Sequence, residues 1–473
     1  MAFTSYEFIV FFTVLLLIYW LVRRRDWQNI VLLVSSAVFY GWLAAWHVAV
    51  LFLSLTIDYF LALGMLRWRE KAGRLLWLGI VANLGLLGIV KYDLFYNQVL
   101  ASWFSRIGLS GDLFSSRILL PLGLSFYLLK KIGYLIDVRR GVLAPTRDWV
   151  AFAAYVSFFP QVFSGPIDRP QILLKQLEGV RAWKAEHLIN AWPLLVMGCF
   201  KKIVVADSVT VVVDHVFAMN RPSGFLLLSA SLGFTLQILA DFSAYTDLAR
   251  GTARLLGLET SENFKLPYLS LTPTEFWNRW HITLSTWLRD YIFFPVRRAL
   301  LKSRLKQSEF LVLAIPPILT MLVSGLWHGV GWTFPVWGLY YGILIASYQL
   351  IGIRGDWVPR AKGARFLAWL VMIGWITLGW VIFRAPSLGW LGGSLFHTPF
   401  IGSRDDWIGG LTALSVTFYY SLPLILKWLI DRYSRQDVAQ FLPGSICLLP
   451  ESEPLHFAFL PFVLALGFVV SMS

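Results

Sequence analysis

Acidic side chains and cysteine are the scarce components of this chain of 473 residues: 27 are Asp or Glu and two are Cys. Cys199 and Cys447 make neither a disulfide framework nor a metal cluster, and nothing around them supports cysteine nucleophile chemistry. Both read as small buried hydrophobes. Charged residues of either sign are 14% of the chain against 57% hydrophobic, too little polar surface to cover a soluble globule. There is no internal repeat, low-complexity tract or soluble domain. The first apolar run, Tyr6 to Val22, lacks a basic region before it and a small-residue cleavage site after it, so it reads as a retained span. What remains is an all-α polytopic membrane protein, one membrane-embedded domain over residues 1–473, with a mean hydropathy of +0.65.

The 41 Lys and Arg residues give a net charge of +14, which on a soluble protein would point to nucleic acid. Here the basic residues cluster between apolar runs, where the positive-inside rule expects them. No nucleic-acid partner is expected, and membrane lipid is. Arg23 to Arg25 and the group Arg67, Arg69, Lys71 and Arg74 bracket two spans, Ile30 to Trp42 and His47 to Met65. With both groups on the cytoplasmic side, the N-terminus lies outside and Leu76 to Val90 returns outward. Further spans are expected near 119–137, 149–163, Leu188 to Phe200, Phe225 to Leu239, Phe366 to Phe383, Leu411 to Ile430 and Phe457 to Val470. Hydropathy thus predicts ten to thirteen membrane segments. Several are broken by Gly and Pro, including Leu120 to Gly123 and Ser164 to Pro166. Irregular backbone at membrane depth needs protein or a water-filled cavity around it, which predicts a cavity inside the bundle.

The densest pattern is an apolar hairpin. Phe310 to Trp327 is an 18-residue run and Trp332 to Ile353 a 22-residue run, each long enough to cross most or all of a bilayer core roughly 30 Å thick. His328 sits at the bend. Basic residues from Arg297 to Lys306 and from Arg354 to Arg365 flank the hairpin and place the bend toward the exterior half of the membrane. Desolvation favours a neutral imidazole, able to take a proton or an acyl group near neutral pH. No serine or cysteine nucleophile pattern adjoins it, and no second histidine stands at i+4 for a metal. On these grounds His328 is either a general base or a histidine hydrogen-bonded across helices.

Before the hairpin, Thr272-Pro-Thr-Glu275 has the form of a capping box with proline at the first helical position. A helix is expected from there, with Trp277, Trp280, Leu284, Trp287 and Tyr291 on one face and Asn278, His281, Ser285 and Arg289 largely opposite. The polar stripe could line a cavity or simply be solvated at an interface. Asp58 lies inside an apolar run, and Asp241 and Asp247 close another. Ionisable groups at that depth serve function or pair structurally, and the sequence leaves both open.

The stretch Phe276-Trp-Asn-Arg-Trp-His-Ile-Thr-Leu-Ser-Thr-Trp-Leu-Arg-Asp-Tyr291, followed by Ser324-Gly-Leu-Trp-His-Gly329, resembles the signature of the membrane-bound O-acyltransferase family, in its bacterial alginate O-acetyltransferase-like branch. Asp241 to Asp247, Glu262 to Phe264, Pro267-Tyr268, Leu122 to Tyr127 and Ser164 to Pro166 resemble further blocks, so that the motif-bearing core covers about residues 120–342. The resemblance implies a many-helix fold around a central funnel or tunnel. It makes His328 the catalytic histidine and His281 a second catalytic-motif histidine, and implies substrate-binding roles for Asn278, Trp327, Ser324, Asp241, Tyr245 and Arg289. It further implies a relay in the bacterial inner membrane. An acetyl group from a cytoplasmic donor such as acetyl-CoA would pass to hydroxyls of an extracytoplasmic polysaccharide, directly or through a periplasmic acetyltransferase or esterase partner, with no metal and no permanently bound cofactor. Ala244, Thr246 and Arg250 depart from the branch's usual pattern and bear on the acceptor. The alternatives are D-alanyl transfer from a carrier protein to a teichoic-acid-like polymer, and a transporter or flippase without acyl chemistry. Against the transporter, no corresponding pair of broken helices marks the two halves.

Overall fold

The computed structural model describes residues 1–42, 44–91 and 123–441. Leu120 to Leu122 of the expected broken segment, the span from Phe457 to Val470, and Cys447 lie outside these residues. Every regular element among the described residues is helical. In chain order these are α1 (Tyr6–Leu21), α2 (Arg25–Gly41), α3 (Ala45–Arg67), α4 (Ala72–Lys91), α5 (Leu124–Arg140), α6 (Trp149–Ser157), α7 (Ala185–Cys199), α8 (Asp207–Ala218) and α9 (Gly224–Leu255). They continue with α10 (Pro273–Arg279), α11 (Ile282–Leu288), α12 (Phe294–Lys302), α13 (Glu309–His328), α14 (Thr333–Leu350), α15 (Lys362–Arg384), α16 (Leu388–Phe396) and α17 (Arg404–Phe441), with short α-, 3-10 and π-helical pieces between. Six stretches among the described residues are long and apolar enough to cross a bilayer: α3, Arg69–Lys91, α9, α13, α15 and Arg404–Leu429 of α17. The other expected segments among the described residues are helical too, at shorter length or lower hydropathy. The chain is an all-α, multi-pass membrane protein.

Two compact units make up the chain. One holds Met1–His187 with Thr252–Glu262 and Thr283–Tyr291; the other holds Leu188–Gly251, Asn263–Ile282 and the chain from Ile292.

In the first unit two buried charges on or facing α5 are answered by specific partners. Asp58, within apolar α3, meets Lys131 Nζ of α5 at 3.2 Å, and Asn83 Nδ2 of α4 donates to its two carboxylate oxygens at 3.0 and 2.9 Å. A buried charge is tolerable only with such partners, so Asp58 reads as a structural ion pair joining three helices. The neighbouring Lys130 starts a second network. Its ammonium donates to the Tyr155 carbonyl at 3.0 Å and to Gln161 Oε1 at 2.6 Å. Gln161 donates onward to Asp168 Oδ2 at 2.6 Å, and Asp168 Oδ1 accepts the Ser261 N–H at 3.0 Å. Adjacent lysines lie about 100° apart around a helix, so each serves a different side. Asp168 thereby fixes the chain just ahead of the Glu262 block.

The second unit is organised by the α13–α14 hairpin. Gly338 and Gly342 stand four residues apart on α14, the spacing that lets two helices approach backbone to backbone. A Cβ on Gly338 would collide with the Met321 carbonyl, one on Gly325 with the Phe334 carbonyl, and one on Gly342 would lie 2.6 Å from the Ile318 Cα. Because the glycines leave no side chain between them, α13 and α14 hold one register, and the bend carrying His328 is fixed with it. Around the hairpin lies an aromatic core in which Phe276, Trp280, Trp337, Tyr341, Met372, Ile376 and Trp380 are all buried.

Candidate active site

The expected capping box forms with one variation. Thr272 Oγ1 accepts the Glu275 N–H at 3.1 Å, while the Glu275 carboxylate accepts the N–H of Leu271 at 2.8 Å, one residue before the cap. Proline at the first helical position completes the start of α10.

Beyond that the structure departs from the expected continuous helix. α10 ends at Arg279, and a new helix begins at Ile282. At the break His281 has φ +42°, in the left-handed region. The reason is a pairing from outside the helix. The N–H of Lys265 donates to the Arg279 carbonyl and the N–H of Ile282 donates to the Asn263 carbonyl, each at 3.0 Å. Two backbone groups that a helix would use internally are thus engaged by the 263–265 strip. The single face from Trp277 to Tyr291 does not exist: Trp280 packs in the aromatic core of the second unit, while Trp287 donates its indole N–H to the Leu129 carbonyl within the first.

The break delivers the His281 ring to the protein interior. Its residue is 2% exposed, and its imidazole meets the Phe242 ring at 4.7 Å and 89°. Burial first, and the nearby His328 second, push its pKa down to about 3. His281 is therefore neutral across the physiological range.

His328 is the last residue of α13 and stays half-buried. Three rings stand nearly perpendicular to its imidazole: Trp327 at 4.8 Å and 74°, Trp337 at 5.1 Å and 84°, and Phe383 at 5.3 Å and 84°. Gly329 follows because a Cβ there would collide with the Phe334 ring. The result is an imidazole held in orientation by aromatic walls yet open in part to an incoming group. His281 and His328 belong to the same unit and interact electrostatically, so a proton on one disfavours a proton on the other.

Trp327 forms one of the walls, and Ser324 lies one turn before His328, 1% exposed. Asn278 is exposed on α10 beside Gly355. Asp241 is paired with Lys202 at 2.9 Å, and Asp247 with Lys201 at 2.7 Å. Both lysines lie in the π-helical stretch Phe200–Ala206. Tyr245 is half-buried on α9, one turn beyond Asp241. Arg289 belongs to the first unit, where it is exposed and pairs with Asp290 at 3.2 Å. Sequence reasoning missed Phe242, Trp337 and Phe383. Of these Phe242 lay within the Asp241 to Asp247 block and Trp337 in the hairpin's second arm at helical spacing from Tyr341, while Phe383 carried no local signal.

Comparison with known proteins identifies the family. Residues 146–373 match the membrane-bound O-acyltransferase family. The probable alginate O-acetylase AlgI of Azotobacter vinelandii is 35% identical over 94% of this chain and 87% of its own length. The peptidoglycan O-acetyltransferase of Helicobacter pylori is 31% identical over 76% of this chain and 71% of its own length. The teichoic acid D-alanyltransferase of Bacillus subtilis is 28% identical over 55% and 68% respectively. With relatives above 30% identity along most of its length and both histidine motifs inside the matched region, the chain belongs to the membrane-bound O-acyltransferase family and is an O-acyltransferase.

Proposed function

We propose that this protein transfers an acetyl group from a cytoplasmic thioester, acetyl-CoA, across the inner membrane to hydroxyls of an extracytoplasmic polysaccharide of the alginate type, directly or through a periplasmic partner. The observation that carries the reading is His328: a half-buried imidazole held by three perpendicular rings beside a neutral second histidine. A neutral imidazole can deprotonate an acceptor hydroxyl as it attacks the acyl carbon, or accept the acyl group itself and pass it on. The aromatic walls favour both routes by limiting water, which would otherwise hydrolyse the donor. His281 is a positioning residue in this scheme: ring and backbone are fixed, and its neutrality leaves His328 free to take the proton.

Support for the acetyl and polysaccharide assignment comes from the relatives described as alginate O-acetylases, which align with most of the chain; the D-alanyltransferase relatives align with about half. The basic groups around Arg297 to Lys306 and Arg354 to Arg365 support a donor-side face at the end of the hairpin opposite His328. The test is the acetyl-ester content of the exopolysaccharide in cells whose only copy is His328→Ala. With normal membrane levels of the variant, acetylation is expected to disappear; acetylation at the wild-type level would refute the assignment. Trapping a labelled acetyl-imidazole on the wild-type protein separates the two routes.

A further inference from the structure

Beside His328 lie two buried donors that nothing in the described protein accepts from. The Trp337 indole N–H and the Ser324 hydroxyl have no hydrogen-bond partner among the described residues, and each residue is 1% exposed. An orphaned buried donor loses its hydration without compensation, so two of them beside one imidazole call for a reason. Both belong to the hairpin whose register the glycines fix. Ser324 stands four residues before His328 on α13, hence on the same helical face, and a helical side chain leans back over the turn that precedes it. His328 therefore leans toward Ser324. From α14, Trp337 brings its ring to 5.1 Å from the imidazole.

Buried hydroxyls and indoles nearby divide: the Trp277 and Trp375 indoles and the Tyr341 hydroxyl also lack a partner among the described residues, while others are served. Thr320 donates to the Pro316 carbonyl at 2.6 Å, Tyr340 to the Trp375 carbonyl at 2.8 Å, and Trp369 to the Tyr268 carbonyl at 2.8 Å. What sets Ser324 and Trp337 apart is position: of the unpartnered indoles among the described residues Trp337 is the one whose ring packs against His328, and Ser324 stands one turn before it on the same helix.

We propose that Trp337 Nε1–H and Ser324 Oγ–H receive the carbonyl oxygen of the acyl group at His328 and stabilise the negative charge that gathers on it during transfer. This deepens the acyl-transfer reading and rests on it. As the acceptor hydroxyl oxygen bonds to the carbonyl carbon, its proton passes to His328 and the C=O electron pair moves onto oxygen, where the indole and the serine donate. When that pair returns, the C–S bond breaks and the thiolate leaves with the proton held by His328. If the imidazole attacks first, the same oxygen takes the charge. Donors positioned for a developing oxyanion act chiefly on kcat.

The test uses the full-length protein in lipid nanodiscs, acetyl-CoA as donor and short alginate oligomers as acceptor. It compares the wild-type, Trp337→Phe, Ser324→Ala, the double variant and His328→Ala. Trp337→Phe keeps an aromatic ring without the N–H, and Ser324→Ala removes only an oxygen. Each is expected to lower kcat by about 10- to 100-fold with the donor KM within about threefold, a split that general loss of packing would not give. Ser324→Ala should also melt no lower than wild-type, since it deletes an unpaired hydroxyl. If kcat in both single variants and the double stays within twofold while His328→Ala is inactive, the inference falls and the reading stands. Transfer persisting in His328→Ala, or a wild-type protein that neither transfers acetyl nor cleaves the thioester, overturns the reading and the inference with it.

Discussion

The His281 imidazole meets the Phe242 ring edge to face, 4.7 Å between centroids and 89° between planes, from a backbone with φ +42°. That combination ties the helix break to the ring's position. Side chains other than Gly are strained in this region, and Asn, Asp and His tolerate it best. His281→Asn should therefore retain more stability than His281→Val, by on the order of 1–3 kcal/mol, read as apparent melting temperature in detergent. Transfer activity should fall less in His281→Asn than in His328→Ala, since His281 positions rather than reacts. A greater loss at His281 would exchange the two roles.

The same residue sets a pH signature. His281 titrates at about 3 in the folded protein and near 6.5 when exposed. Between those values the unfolded chain holds the additional proton, so stability falls as pH drops through that window and is level above it. Thermal unfolding of wild-type and His281→Asn proteins from pH 7.5 to 4.5 checks this: the variant should lose less melting temperature on the acid side. Parallel curves would remove His281 as the cause.

The hairpin makes a steric prediction. Gly338→Leu and Gly342→Leu place side chains where the Met321 carbonyl and the Ile318 Cα already stand. Both variants should lower the yield of folded protein and abolish transfer. Leu339→Ala, on the exposed side of the same helix, should change stability by less than about 1 kcal/mol. Folding yield by size-exclusion chromatography separates these outcomes.

The hairpin was legible from sequence because two long apolar runs meet at one polar bend, and hydropathy reads length and polarity directly. The start of α10 was legible because a capping box is local. The break at Trp280–His281 was not, since Trp277, Trp280, Leu284, Trp287 and Tyr291 keep helical spacing straight through it. What overrides the pattern is backbone pairing with residues 263–265, a non-local event without a sequence period. Phe383 was invisible for the same reason: an aromatic residue in an apolar run looks alike whether it faces lipid, core or a catalytic ring. Asp58 could be singled out as anomalous, but Lys131 sits on another helix and no spacing rule connects them.

That ion pair gives a further prediction. Asp58→Ala should lower the melting temperature markedly, because it leaves Lys131 buried without its carboxylate; breaking one side of such a pair typically costs about 3–5 kcal/mol. The double variant Asp58→Leu/Lys131→Met should recover much of the loss, as two apolar groups need no partner. A double variant no better than Asp58→Ala would mean that the pair contributes more than mutual charge compensation.

The most direct measurement is the initial rate of acetyl transfer from acetyl-CoA to alginate oligomers by purified His328→Gln in nanodiscs, beside wild-type protein at matched folding and donor saturation. With His328 at the centre of the chemistry, the rate falls by about 10² to 10⁴, the range expected for loss of a general base. A rate within threefold of wild-type would contradict that role.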